Sequence, residues 1–157
     1  MRAAATLLLF LTLPGTSQAQ CGNSIRVGGV ALILGGYAGG EIAVLALRHR
    51  EWWTPPRQSF HFIWGGSPSK SQDGLLHASV AYQASQVATL AWDWACVSPK
   101  TAGWLGAITG LAVGIPKEIG DGLHQNGFSG PDMMWTAAGA LLPAVHRQWP
   151  EIGRAHV

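Results

Sequence analysis

Charge is what this sequence has least of. Asp, Glu, Lys and Arg make up only 11% of its 157 residues, where soluble domains carry roughly a quarter, and only three residues are lysine. That scarcity excludes an ordinary cytosolic protein. The basic residues are scattered singly and the net charge is +2, so there is no cationic stripe to follow a phosphate backbone, and nucleic acid is excluded as a partner despite a pI of 8.8. Cysteine is nearly absent: Cys21 and Cys96 offer a single possible pair. The catalytic signatures HExxH, CxxC and GxSxG are missing, as are internal repeats and low-complexity tracts. A 48% hydrophobic content rules out disorder, and the length suits one domain rather than two cores.

What the chain does have is 21 Gly and eight Trp, the composition of helices that pack closely in or on a bilayer, with small residues at contacts and Trp at interfaces. Residues 1–19 read as an export signal: Arg2, an apolar stretch from Ala3 to Leu13, a break at Pro14-Gly15, then Ser17-Gln18-Ala19 before cleavage. Export makes a Cys21–Cys96 disulfide permissible. Cys21 also lies where a lipoprotein cysteine would, although Gln18-Ala19-Gln20 lacks the Leu and small residue of a lipidation box.

Four helical segments follow, giving an all-α expectation: a small membrane-associated bundle of about four helices with an aromatic-rich loop. Residues 27–47 carry one charge, Glu41, and are bracketed by Arg26 and by Arg48-His49-Arg50, the pattern of a transmembrane helix. Its glycines, including Gly36-x-x-x-Gly40, suit close approach by another helix. Residues 51–72 form a loop holding Trp52-Trp53, Phe60-His61-Phe62 and Trp64, either lying at headgroup level or packed as a flap over the helices. Both versions bury Phe60 and Phe62. The helical domain spans 73–148. Its first helix runs from Asp73 to Val97, and its second from Thr101 to about Gly120 with the ladder Gly106-x-x-x-Gly110-x-x-x-Gly114 and a break or kink at Pro116. Its third starts at Ser129-Gly130-Pro131-Asp132 and runs to Gln148. None of the three can bury an apolar face alone, so they should form one bundle in which Phe60, Phe62, His77 and Tyr82 cluster.

The candidate chemistry lies at helix ends. His77, Glu118 and Asp121 are candidate catalytic residues, and Asp73, Lys117 and Asp132 candidate binding residues. Asp73 and His77 are i, i+4 neighbours and Glu118 and Asp121 are i, i+3, so each pair shares a helix face. If the faces meet, an imidazole and several carboxylates converge, which suits a divalent metal or general acid–base chemistry. The same residues have structural roles open to them: Asp73 and Asp132 favour helix N-termini, and Lys117 can neutralise Glu118 or Asp121. His49, His61, His124, His146 and His156 receive no role.

The run Phe60-His61-Phe62, then Asp73-Gly74-Leu75-Leu76-His77-Ala78 with Ala81-Tyr82, then Lys117-Glu118 and Asp121, then Gly127-Phe128-Ser129 with Asp132 and Gly139-Ala140, resembles the uncharacterised bacterial YfiM-like lipoproteins. More distantly, the order is similar to that of VanZ-like membrane proteins. The resemblance covers about Trp52 to Val145 and departs from the family at Gly74, where a Lys usually follows the Asp. It implies a small helical protein of the bacterial cell envelope. Two function classes follow. One is a non-enzymatic component that binds membrane lipid or another envelope protein. The other is a membrane-surface hydrolase or transferase acting on a lipid or cell-wall headgroup, with His77 as base or ligand.

Overall fold

In a computed structural model that describes Cys21 and residues 24–54, 56–65 and 70–151, four helices and two very short strands follow one another. They are α1 (Val27–Glu51), β1 (Phe62–Ile63), α2 (Lys70–Trp94), α3 (Pro99–Gly122), β2 (Phe128–Ser129) and α4 (Gly130–Gln148). The all-α expectation holds. The export signal expected at 1–19 lies outside the described residues.

Small side chains decide how α2, α3 and α4 meet. Ala81, Ser85, Ala88 and Thr89 of α2, Ala102 and Ala107 of α3, and Thr136, Ala140 and Ala144 of α4 are buried. Gly106, Gly110 and Gly114 lie against Thr89, Ala81 and Thr136 respectively. A Cβ at Gly110 would fall 2.7 Å from the Ala81 carbonyl oxygen, and one at Gly139 would collide with the Ala78 backbone. The expected ladder is therefore a real line of backbone contact. The large apolar side chains point outward: Leu75, Val80, Val87 and Leu90 on α2, Ile108 and Ile115 on α3, Met134 and Leu142 on α4 are all exposed.

Helix α1 is long and apolar enough to cross a membrane, the one such helix among the described residues. Only Gly29 in it is buried, against Trp94 and Ala95. No other part of the described chain comes near Gly36 or Gly40, so the helix contact expected there is not made among the described residues. Helix α1 continues to Glu51, one turn beyond the expected Leu47, and α2 already begins at Lys70, so the loop expected at 51–72 is shorter at both ends.

Helix α2 ends at Trp94 rather than Val97. Cys96 adopts a left-handed conformation, φ 62°, while its N–H bonds the Asp93 carbonyl and that of Val97 bonds Trp92, a Schellman stop normally filled by glycine. Cys96 is disulfide-bonded to Cys21, and the Arg26 N–H donates to the Ala95 carbonyl at 3.0 Å. The start of α1 is thus fastened beside the end of α2. At the opposite end Arg48 and Trp52 line a cleft with Asp73 and His77 of α2, so α1 lies alongside the bundle over its length.

The loop is a flap. Trp53 is buried on Gly120, Phe60 lies on Gly122 and Trp64 on Gly130, so three glycines seat three rings. Strand β1 pairs in parallel with β2, Phe62 opposite Phe128. The expected burial of both phenylalanines does not occur: Phe60 is 43% and Phe62 71% exposed. They join Phe128 in an aromatic trio, with Phe62 5.2 Å from each partner. The two-residue strand leaves Phe62 open over most of its surface among the described residues. His77 and Tyr82 do not join them. Tyr82 accepts from Gln86, and His77 lies with Thr136 and Lys117. The helical part of the expected bundle stands and its aromatic cluster does not.

Gly110→Leu should reduce the yield of folded protein far more than Ala112→Leu, because Gly110 is sealed between Ala81 and Ala140 whereas Ala112 is only partly buried. Overpacking of this kind costs about 1–3 kcal/mol or more. Thermal unfolding of the two variants in detergent checks the order.

Candidate functional site

Pro116 lies inside α3 without ending it, so the helix carries its polar residues past the apolar part and under the flap. Glu118, on the inner face, is completely buried. A buried carboxylate must be compensated, and this one is: Lys117 Nζ lies 2.7 Å from Oε1, and the Ser129 N–H donates to Oε2 at 3.0 Å. Lys117 also pairs with Asp121 Oδ2 at 2.9 Å, one turn on. The other Asp121 oxygen accepts from the Trp53 indole at 2.8 Å and from Asn126 at 3.4 Å. His124 stacks on Trp53 at 5.6 Å and shares a 2.7 Å hydrogen bond with the Gly120 carbonyl.

His77 reaches this cluster from α2. Its Nε2 is 3.3 Å from Lys117 Nζ and 3.8 Å from Glu118 Oε1, and its Nδ1 is 3.3 Å from Thr136 Oγ1. The partners assign the tautomer: Nε2 accepts from the ammonium and Nδ1–H donates to the hydroxyl. Asp73 Oδ1 stands 4.0 Å from Nε2. Asp132, in the first turn of α4 behind the Ser129 cap, completes a group in which ligand atoms of Asp73, His77 and Asp132 all lie within 4.8 Å of one another. Of the two residues the sequence offers as N-cap, Ser129 and Gly130, it is Ser129 that caps α4, with Pro131 early in the first turn as expected.

Asp73, His77 and Lys117 line a cleft of about 170 Å³ together with Arg48, Trp52, Leu76, Val80 and Thr136. Of the six candidate residues, His77, Lys117 and Glu118 meet directly, and Asp73 and Asp132 flank His77. Asp121 is joined through Lys117 and is held by Trp53 and Asn126.

Electrostatics follow from these contacts. Burial pulls the Lys117 ammonium down, but the hydrogen bonds and charges of Glu118 and Asp121 outweigh it and hold its pKa above the ordinary 10.5. Burial pushes the Asp121 carboxyl up, but Trp53, Lys117 and Asn126 outweigh it and hold the group below the ordinary 3.8.

Sequence reasoning missed Arg48, Trp53, Thr136 and His124. Thr136 stands four residues after Asp132, on the same helix face, and that spacing could have found it. Nothing in Trp52-Trp53 says which ring turns inward.

The two shifts set a pH window. The lowered Asp121 contributes stability above the carboxylate range that is lost as pH falls through its folded pKa; the raised Lys117 contributes stability that is lost as pH rises through the folded pKa of the ammonium. Thermal stability should be broad between about pH 4 and 10 and fall on both sides. Asp121→Asn should lower it by about 3 kcal/mol at neutral pH and flatten the acid limb, as read by unfolding in detergent at stepped pH.

No family model, curated protein or solved structure matches this chain, so its site is read from geometry.

Proposed function

We propose that this protein is a membrane-embedded component of the bacterial cell envelope that binds the phosphate-bearing headgroup of a phospholipid in the Arg48–His77–Lys117 cleft. The observation that carries the reading is the inversion of side-chain size. The helices bury Gly, Ala, Ser and Thr against one another and turn Leu, Ile, Val and Met outward, the packing that lipid favours and water does not. Helix α1 has the length and apolarity to cross, and because α2 runs beside it, the bundle would share its depth.

The cleft then lies at the headgroup level of α1's basic end. Exposed Leu76 and Val80 line it beside the polar groups, so one ligand could place acyl chains on the apolar side and a headgroup on the polar side. Arg48 supplies the anion-binding group. Its Nη1 is buried without a hydrogen bond, and its guanidinium lies over the Trp52 ring, 5.0 Å from the centroid.

A second reading, hydrolysis or transfer at the same headgroup, draws on His77, which stands in the cleft with Glu118 behind it. It separates cleanly by mutation: His77→Ala should abolish turnover of a phospholipid ester and leave folded protein, while Asp121→Asn lowers the amount of folded protein.

For the binding reading, the chain should stay with membranes after alkaline carbonate extraction and co-purify with phospholipid. Arg48→Gln should reduce bound phospholipid about tenfold or more, since a charged hydrogen bond is worth about 1.5–3 kcal/mol. Arg147→Gln, which breaks an ion pair with Asp93 at the far end, should retain it. Equal lipid phosphate in the Arg48 variant and the unaltered chain would sink the assignment.

A further inference from the structure

From the geometry we infer that Asp73, His77 and Asp132 bind one divalent transition-metal ion of the Zn(II) or Mn(II) class. The site goes beyond the headgroup reading and does not depend on it. Asp132 is the starting point. It is only 6% exposed, and while its backbone N–H donates to Ser129 Oγ, its carboxylate has no hydrogen bond or ion pair among the described residues. Glu118 and Asp121, buried to a similar degree, have two and three polar partners respectively. Its oxygens are not sealed from solvent, so a cation entering the site can reach them where no protein group among the described residues already holds them.

The missing partner is marked by position. Ligand atoms of Asp132, His77 and Asp73 lie within 4.8 Å of one another, and ligands around an ion at about 2.0–2.2 Å stand somewhat closer. Asp73 can supply the adjustment, because its side chain is 50% exposed. The donor set, two carboxylates and one imidazole without a thiolate, suits Zn(II) or Mn(II) and leaves coordination positions open toward the cleft.

Local charge favours an ion as well. Asp73, Glu118, Asp121 and Asp132 bring four carboxylates to this end of the bundle, and Lys117, the cation paired with two of them, leaves the group net negative. Lys117 is the competitor, since its ammonium donates to His77 Nε2. An ion on Nε2 displaces that one contact, and Lys117 keeps both carboxylates. Thr136 at Nδ1 holds the ring with Nε2 toward the ammonium, the role such partners play behind metal-bound histidines.

The test uses the full chain, free of any tag, in detergent micelles after chelator treatment. Titration calorimetry and elemental analysis should find one equivalent of Zn(II) or Mn(II). Asp132→Asn and His77→Ala should each weaken binding tenfold or more, while His61→Ala, at the flap, should leave it unchanged. Because either variant could lose its fold, the unaltered chain supplies a second measurement: bound Mn(II) should show magnetic coupling to the nitrogen of a single imidazole. Absence of a stoichiometric ion, equal binding by folded Asp132→Asn, or a Mn(II) signal without nitrogen coupling would overturn the site.

Discussion

The architecture depends on how closely α3 can approach its two neighbours. Gly106, Gly110 and Gly114 place its backbone against α2 and α4 with no room for a Cβ, and along that line mostly Ala, Ser, Thr and Gly fit between the helices, with Trp92 buried beyond its end. The larger apolar side chains are left with the outer surface. In water such an arrangement forfeits most of the hydrophobic term, because Leu, Ile and Val gain little by folding. In lipid that term is absent between helices, and dispersion contacts between close backbones become the stabilising interaction. The inside-out distribution and the Gly ladder are thus one constraint seen from two sides.

The same closeness governs the polar end. Beyond Pro116 the α3 glycines no longer meet helices but rings: Trp53 lies on Gly120 and Phe60 on Gly122. The flap comes near enough for the Trp53 indole to reach Asp121 and for β2 to offer the Ser129 N–H to Glu118. A side chain at Gly120 would lift Trp53 and remove one acceptor's donor, so apolar packing and carboxylate compensation are coupled. This explains how Glu118 can be wholly buried at the junction of α3, β2 and α4. Each of its oxygens has a partner supplied by a different local structure, Lys117 within the helix and Ser129 from the strand.

Periodicity and punctuation made the helices legible, together with the Gly ladder, the Ser129 start and the meeting of His77 with Lys117 and Glu118. What escaped was set by tertiary contact. Cys96 stops α2 in a conformation that glycine ordinarily fills, so no breaker marked the true end at Trp94. The β1–β2 pairing involves two residues on each side, too few for alternation to register. Phe60 and Phe62 look like core residues in the sequence, but hydrophobicity alone does not reveal whether anything covers an edge strand. The Gly36 and Gly40 pair failed for a related reason: a small-residue face announces readiness for a neighbour, and none of the described elements of this chain is that neighbour.

The cleft sets two demands against each other. Arg48 offers an unsatisfied cationic nitrogen to an anion, whereas the surrounding carboxylates outnumber the cations and repel one. With Lys117 already engaged by Glu118 and Asp121, its charge is not free to offset that repulsion. A divalent ion on Asp73, His77 and Asp132 would offset the charge of the two carboxylates that Lys117 does not reach and make the cleft less repellent to an anion. In that arrangement Glu118, Lys117 and Asp121 form a hydrogen-bonded scaffold that holds His77 in place rather than a reacting group. The chemistry available to a headgroup would then come from Arg48, the ion and the imidazole that ties the ion to α2.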